Sequence, residues 1–329
     1  MNKNNFALRV DVSKNIGLGH LKRLLLLKNR MSLKKVFWLV NGDKKIFFSI
    51  IKKNKNIFFS NNENKMINLI KKKNINKIVM DISHQKNLLK NKIYYKKKKY
   101  IKNNLKIISF DDPKQKIISD ISIIPYVVSK RGIKKHKKTL LFKGQKYFLH
   151  DIKKNLQIQN KIRNILIVIS GTDPKNIAIK IYKILKDLDF NFKVILGENF
   201  KKNVSFYSKK NHQFIKRSKN LNKEFSWCDL VICGEGHTKY ESILANKPTI
   251  VINQFNKKNY MLKNFTNLNV CLPINNFKSK KRSFIKSCLI NYINDEKKRI
   301  RHKKNINRHF NHRIILKNTN HMIKKILSL

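Results

Sequence analysis

Short, nearly continuous apolar runs alternate along this chain with longer amphipathic stretches, and the alternation restarts near residue 164. The runs are Phe6–Val10, Val36–Val40, Ile57–Ser60, Lys77–Met80 and Lys106–Phe110, then Asn164–Ser170, Phe192–Leu196, Leu230–Cys233 and Pro248–Ile252. A strand that is apolar at consecutive positions has no face to give to water, so it belongs in a parallel sheet covered by helices on both sides. His20–Met31, Asn176–Asp187 and Thr238–Ala245 are the clearest helical stretches. This order predicts an α/β protein. At 329 residues the chain exceeds one ordinary core. The restart predicts two Rossmann-like domains facing across a cleft, residues 1–155 and 156–329, with a hinge within the polar stretch 151–163. A basic helical tail from Lys278 onward is expected in the second domain, packing through Leu289, Ile293, Ile300, Phe310 and Ile314.

The charge narrows the class less than its size suggests. There are 76 Lys and Arg against 18 Asp and Glu, a formal net charge of +58. A nucleic-acid surface concentrates such charge on one face or tail. Here it runs from Lys71–Lys73 through Lys96–Lys99 and Lys134–Lys138 to the tail, together with abundant Asn and Ile, and no nucleic-acid motif accompanies it. Background composition explains this spread, and no specific nucleic-acid partner is expected. A basic protein that binds nucleic acid or an acidic surface stands as the alternative from another class. No apolar stretch reaches the roughly 18 residues that span a bilayer, no signal-peptide core opens the chain, and the four cysteines form no C-x-x-C pair. A cytoplasmic protein without a membrane span is the expectation. His302, His309, His312 and His321 lie in the tail without a cysteine or acid beside them, which predicts solvated helix faces and no metal.

In a chain so poor in carboxylates, their positions are informative. Asp11, Asp81, Asp111, Asp112, Asp173, Glu198 and Glu235 all follow predicted strands. Ligands of open α/β sheets bind outside the carboxyl ends of the strands, although Asp also caps helices in such loops. As a set, these acids point to a shared cleft. Two glycine loops occupy equivalent places. In the first, Arg9-Val10-Asp11 leads through Gly17-Leu18-Gly19-His20 into a leucine-rich helix containing Arg23. In the second, Cys233 leads through Gly234-Glu235-Gly236-His237-Thr238 into a helix containing Glu241. Each G-x-G brings backbone close to a ligand at a helix start. His20 is expected to be largely neutral there and able to accept a proton from water; the competing reading is a histidine that only sits at a helix end. Neither loop has the third glycine of the dinucleotide fingerprint or the P-loop pattern, so NAD and ATP hydrolysis are disfavoured and no cofactor is expected. Gly236, His237 and Thr238 remain as a pyrophosphate cradle, with Glu241 placed for ribose hydroxyls or simply stabilising the helix start.

The motif R-x-D-x5-G-x-G-H-x-x-R, at Arg9, Asp11, Gly17, Gly19, His20 and Arg23, resembles that of the UDP-2,4-diacetamido-2,4,6-trideoxy-beta-L-altropyranose hydrolase family of pseudaminic acid synthesis. The resemblance extends through Ile108–Asp112, Gly171–Asn176, Gly234–Glu241, Pro248 and Asn253-Gln254, covering most of the chain in order. More widely, the chain resembles the GT-B glycosyltransferase-like superfamily. The resemblance implies a metal-independent reaction on a small-molecule UDP-sugar, releasing UDP and the free diacetamido sugar. His20 would be the general base, with Asp11 orienting His20 or a sugar hydroxyl. Gly234, Gly236, His237, Thr238 and Glu241 would bind UDP, while Gly17, Gly19, Asn253 and Gln254 would contact sugar or diphosphate. A UDP-sugar-dependent glycosyltransferase of the same fold is the alternative. Ile82-Ser83-His84 stands where the family has a His-Tyr pair after Asp81, and the second loop reads Gly-Glu-Gly-His-Thr where the family often has Gly-Gly-Ser-Thr-Thr.

Overall fold

The computed structural model describes residues 5–13, 16, 18–82, 105–111, 118–128, 139–154, 161–171, 173, 175–197, 200, 211–216, 218, 221–253 and 260–329. These residues form two parallel sheets. The first contains β1 (Phe6–Val12), β2 (Val36–Gly42), β3 (Ile57–Phe59), β4 (Lys77–Asp81), β5 (Lys106–Phe110), β6 (Ile121–Ile124) and β7 (Leu140–Lys143), in the order β3-β2-β1-β4-β5-β6-β7. The second contains β8 (Asn164–Val168), β9 (Asn191–Ile195), β10 (His212–Ile215), β11 (Leu230–Gly234), β12 (Thr249–Ile252) and β13 (Leu272–Ile274), in the order β10-β9-β8-β11-β12-β13. Every described pairing is parallel.

Strand alternation explains why the first sheet is apolar on both faces. Phe6, Leu8, Val10 and Val12 of β1 enter one core with Leu21, Leu24 and Leu27 of helix α1 (Gly19–Arg30). Ala7 enters the other, with Met66, Ile67 and Ile70 of α3 (Glu63–Lys72). Between them the short α2 (Lys44–Phe48) starts at Asp43, whose side chain accepts from the Ile46 N–H. Gly42, with φ +132, is required at the end of β2, because a Cβ there would overlap the Val12 carbonyl of β1. In the second sheet, α4 (Ile177–Leu185) packs seven buried residues on β8 and β9. The other helices are α5 (Leu221–Trp227), α6 (Thr238–Leu244), α7 (Tyr260–Thr266), α8 (Arg282–Asn294), α9 (Glu296–His309) and α10 (His312–Ser328).

The chain divides into two compact units, residues 1–150 with 313–329, and residues 151–312. The last helix therefore returns to the first unit, whereas the sequence reading leaves the whole tail with the second. Ile315, Met322, Ile323 and Ile326 are buried on α10, and the latter three join the core beside α1. Lys77 anchors its end by donating to the Leu327 carbonyl at 2.6 Å. Leu289, Ile293 and Phe310 are buried as expected, but Ile300 and Ile314 face outward, 42% and 52% exposed. The abundance of lysine masks which apolar positions form the stripe. Among the described residues, no helix is long and apolar enough to cross a membrane.

Candidate functional site

In the first sheet the strand order reverses between β1 and β4, which lie side by side with Val10 level with Asp81. Successive crossovers leave such a point toward opposite faces, opening a crevice at the carboxyl ends. The chain leaving β1 enters α1, with Gly19 first and His20 second. Arg23, one turn on, shares the face of His20. Asp81 is the last residue of β4.

These residues meet. His20 Nδ1 lies 2.5 Å from Asp81 Oδ1. Arg23 grips the same carboxylate through two nitrogens, Nε to Oδ2 and Nη2 to Oδ1, both at 2.6 Å. Its Nη1 donates to the Tyr126 hydroxyl, and its guanidinium lies 5.3 Å and 5.6 Å from the ring centres of Phe110 and Tyr126. Asp111 Oδ2 stands 3.7 Å from Nη2. The Asp81 side chain is fully buried, and that of His20 is 18% exposed.

Burial alone would raise the Asp81 carboxyl, but Arg23 and His20 outweigh it and hold Asp81 far below the usual carboxylate range. Asp81 is therefore ionised, and its bond fixes a proton on His20 Nδ1. Burial pushes the imidazole toward its neutral form; Asp81 opposes this more strongly, and the His20 pKa is raised above 6.5. The expectation of an imidazole kept neutral by the helix start is corrected: the adjacent carboxylate outweighs burial. Arg23 and Tyr126 are both shifted upward, burial opposing the shift for Arg23 and leading it for Tyr126.

Asp11 does not orient His20, whose Nδ1–H donates to Asp81. It meets Arg9 Nη1 at 2.8 Å, while Arg9 Nε and Nη2 bind Glu63 at 3.2 and 2.6 Å. Arg9 and Asp11 alternate with Val10 and Val12, so they face α3 rather than α1. Gly17, Gln254, Asp112 and Glu198 lie outside the described residues. Asp173, with φ +30, accepts from the Ile177 and Ala178 N–H groups at 3.0 and 2.9 Å and caps α4.

The second sheet reverses between β8 and β11, where Gly234 N–H donates to the Ile169 carbonyl at 3.2 Å. Gly234 and Glu235 are buried, and Gly236 is exposed. A Cβ at Gly236 would meet nothing within 4 Å. His237 takes up helical angles just before α6, which begins at Thr238; Glu241 is half-buried in its first turn. Beneath the loop, buried Lys239 donates through Nζ to the Glu235 carbonyl and stands 5.0 and 5.4 Å from the ring centres of Tyr240 and Phe265. Asn253, buried at the end of β12, donates its N–H to the Ile274 carbonyl at 2.9 Å. Among the described residues, no three His, Cys, Asp or Glu side chains form a metal-binding group. His302 is held by Tyr292 and Asn269 at 2.9 and 3.1 Å, and His312 donates to the Leu244 carbonyl at 2.7 Å.

Comparison with solved structures identifies this arrangement. The calicheamicin glycosyltransferase aligns with 99% of this chain and 98% of its own, at a TM-score of 0.65 and 8% identity. The UDP-GlcNAc 2-epimerase from Methanocaldococcus jannaschii aligns with 88% and 93%, at a TM-score of 0.52 and 12% identity. The chain has a GT-B fold. No family model matches it. An uncharacterised protein of Methanocaldococcus jannaschii is 26% identical over 275 residues, 75% of this chain and 55% of the relative, so the chain spans about half of that protein's length.

Within the GT-B fold, the sequence singles out His20 and the two loops but not the residue that His20 meets, Asp81. Arg23 was visible as His-x-x-Arg on a helix face, and Asp81 and Asp111 as acids after strands. The order that puts β4 beside β1, and β5 beside β4, was the missing step. Nothing in sequence marks Tyr126 as the acceptor for Arg23, or Lys239 as the support beneath the second loop.

Proposed function

We propose that this chain processes a nucleotide sugar, and that the reaction is hydrolysis of a UDP-activated diacetamido-trideoxy sugar to UDP and free sugar. The observation that carries this reading is the His20–Asp81 pair, clamped by Arg23 at the carboxyl end of a parallel sheet. With Nδ1–H committed to Asp81, Nε2 of the neutral imidazole is the proton acceptor. A water gives its proton to Nε2 while its oxygen bonds to the anomeric carbon. The bond from that carbon to the diphosphate oxygen breaks, and UDP leaves with the electron pair. His20 is the catalytic base, and Asp81 and Arg23 are positioning residues. Asp11 supports this machinery structurally, through Arg9 and the start of α3.

The second loop supplies the nucleotide site. Neither a positive φ nor packing demands glycine at Gly236, and open space above it suits close approach of a diphosphate. Gly234, His237 and Thr238 complete the cradle. Glu241 is placed for ribose hydroxyls, and Gly19, Asn253, Gly17 and Gln254 for the sugar or diphosphate. The resemblance in sequence supplies the sugar class, and the GT-B fold is consistent with it. A glycosyltransferase would use the same base on an acceptor hydroxyl.

Incubation with a panel of UDP-diacetamido sugars, measuring UDP and free sugar without any acceptor, tests the reading. Stoichiometric release of both, lost in His20→Ala, is expected. UDP release only when an acceptor is added assigns a transferase, and no cleavage of any UDP-sugar refutes the proposal.

A further inference from the structure

Resting on that reading, one group near His20 has no part in the proton transfer. Asp111 follows β5, one position beyond Phe110, next to the end of β4. Its φ is +57, in the left-handed region that costs a non-glycine residue energy. Its N–H donates to the Ile123 carbonyl at 2.9 Å, which extends the β5–β6 ladder by one bond. That bond uses the N–H and not the carboxylate. Of the two carboxylates near Arg23 among the described residues, Asp81 is fully buried and takes both short bonds, whereas Asp111 is 19% exposed and stands at 3.7 Å, beyond hydrogen-bond length. Arg23 Nη2 is common to the cluster, lying 3.4 Å from His20 Nδ1, 2.6 Å from Asp81 Oδ1 and 3.7 Å from Asp111 Oδ2.

We propose that Asp111 is a specificity-determining residue that accepts a hydrogen bond from an N–H or O–H donor of the sugar held before His20. Three observations converge on it. The carboxylate has accessible surface, its one ion pair among the described residues is longer than a hydrogen bond, and it occupies a backbone conformation for which glycine would be the undemanding choice. Asp81 cannot serve, because its oxygens are committed to His20 and Arg23. A carboxylate acceptor favours sugars with an acetamido N–H or a hydroxyl at the position it reads. It penalises analogues lacking that donor, since the desolvated anion is then left unpaired.

The test compares Asp111→Gly and Asp111→Asn in a His20→Ala background, which removes turnover from the binding measurement. Titration calorimetry with UDP, UDP-glucose, UDP-N-acetylglucosamine and a UDP-2,4-diacetamido-trideoxyhexose supplies the readout. Glycine is at home at positive φ, so Asp111→Gly is expected to melt no lower than its parent. It is also expected to bind the sugar nucleotide about 10- to 100-fold more weakly, the loss of one hydrogen bond to a charged acceptor. Affinity for UDP itself should not change. Asn, which retains an acceptor oxygen and tolerates positive φ, should recover part of the loss. Weakening confined to the acetamido sugars assigns the donor to an amide N–H; weakening that includes UDP-glucose assigns it to a hydroxyl. Undiminished sugar-nucleotide binding in Asp111→Gly, or an equal loss for UDP, overturns the role of Asp111. Wild-type protein that binds these ligands but releases no UDP overturns the hydrolase while the binding comparison still decides Asp111. Failure to bind any of the four overturns both.

Discussion

The two halves of the chain carry the same Gly-x-Gly-His pattern beside the reversal point of a parallel sheet, after β1 in one half and after β11, the counterpart of β4, in the other, and the surroundings of the two copies differ. In the first, the histidine lies inside the helix, one turn before an arginine and beside the last residue of the neighbouring strand. A carboxylate, a guanidinium and an imidazole are thereby locked together. In the second, the histidine precedes the helix, the glycine before it is exposed, and a buried lysine braces the loop from beneath through a backbone carbonyl. The motif specifies a backbone path out of a strand. In the proposed function, neighbouring strands decide whether such a loop presents a proton acceptor or a surface open to a diphosphate.

Removing Arg23 should have the largest effect. Arg23→Met leaves the fully buried Asp81 without its main counter-charge, and an uncompensated buried charge costs about 3–5 kcal/mol. A large fall in denaturation midpoint together with lost turnover is expected; a variant as stable as wild type would show that the clamp contributes little.

Asp81→Asn keeps the shape and an acceptor for Arg23 but removes the charge, so it probes the proton chemistry directly. It does so at a cost in stability, because buried Arg23 loses its main counter-charge. A fall in kcat of about 100- to 10,000-fold is expected, as for other bases deprived of their orienting carboxylate. Asp81 raises the His20 pKa, so its removal lowers it. The acid limb of the kcat/KM profile should therefore move to lower pH. Movement to higher pH would contradict the pairing.

At the second loop, Gly236→Val should weaken UDP binding about 10-fold, roughly the loss of one charge-assisted contact, with little change in melting temperature because a Cβ there meets no protein atom. Calorimetry and thermal melts check this. A strong loss of stability would mean that packing, not a ligand, requires the glycine.

The smallest effect is on stability against pH. The depressed Asp81 pKa contributes stability present above its unfolded value, about 3.9, and lost as pH falls through the folded value. The raised His20 pKa contributes stability that is full below about 6.5 and lost as pH rises through the folded value. The stability difference between wild type and His20→Ala should therefore be greatest between about pH 4 and 6.5, as read from urea unfolding across that range.

Much of the scaffold was legible because burial on both sheet faces leaves apolar runs that even a lysine-rich composition preserves, as at Lys106–Phe110 and Leu230–Gly234. Short strands such as β10, His-Gln-Phe-Ile, lack that signature. The return of α10 was hidden because its buried stripe is interleaved with lysine and asparagine. Within the site, Asp11 and Asp81 looked equivalent as acids at strand ends. Which of them meets His20 depends on the side of the sheet each faces and on which strands are neighbours, and both follow from pairing rather than local sequence.

The division of labour is tested most directly by measuring turnover and UDP affinity side by side in His20→Ala and His237→Ala. His20→Ala should lose turnover by about 100-fold or more while binding UDP as wild type does, and His237→Ala should weaken UDP binding with far less effect on the rate at saturation. Equal effects of the two substitutions, or the reverse pattern, would contradict the assignment of proton chemistry to the first loop and nucleotide binding to the second.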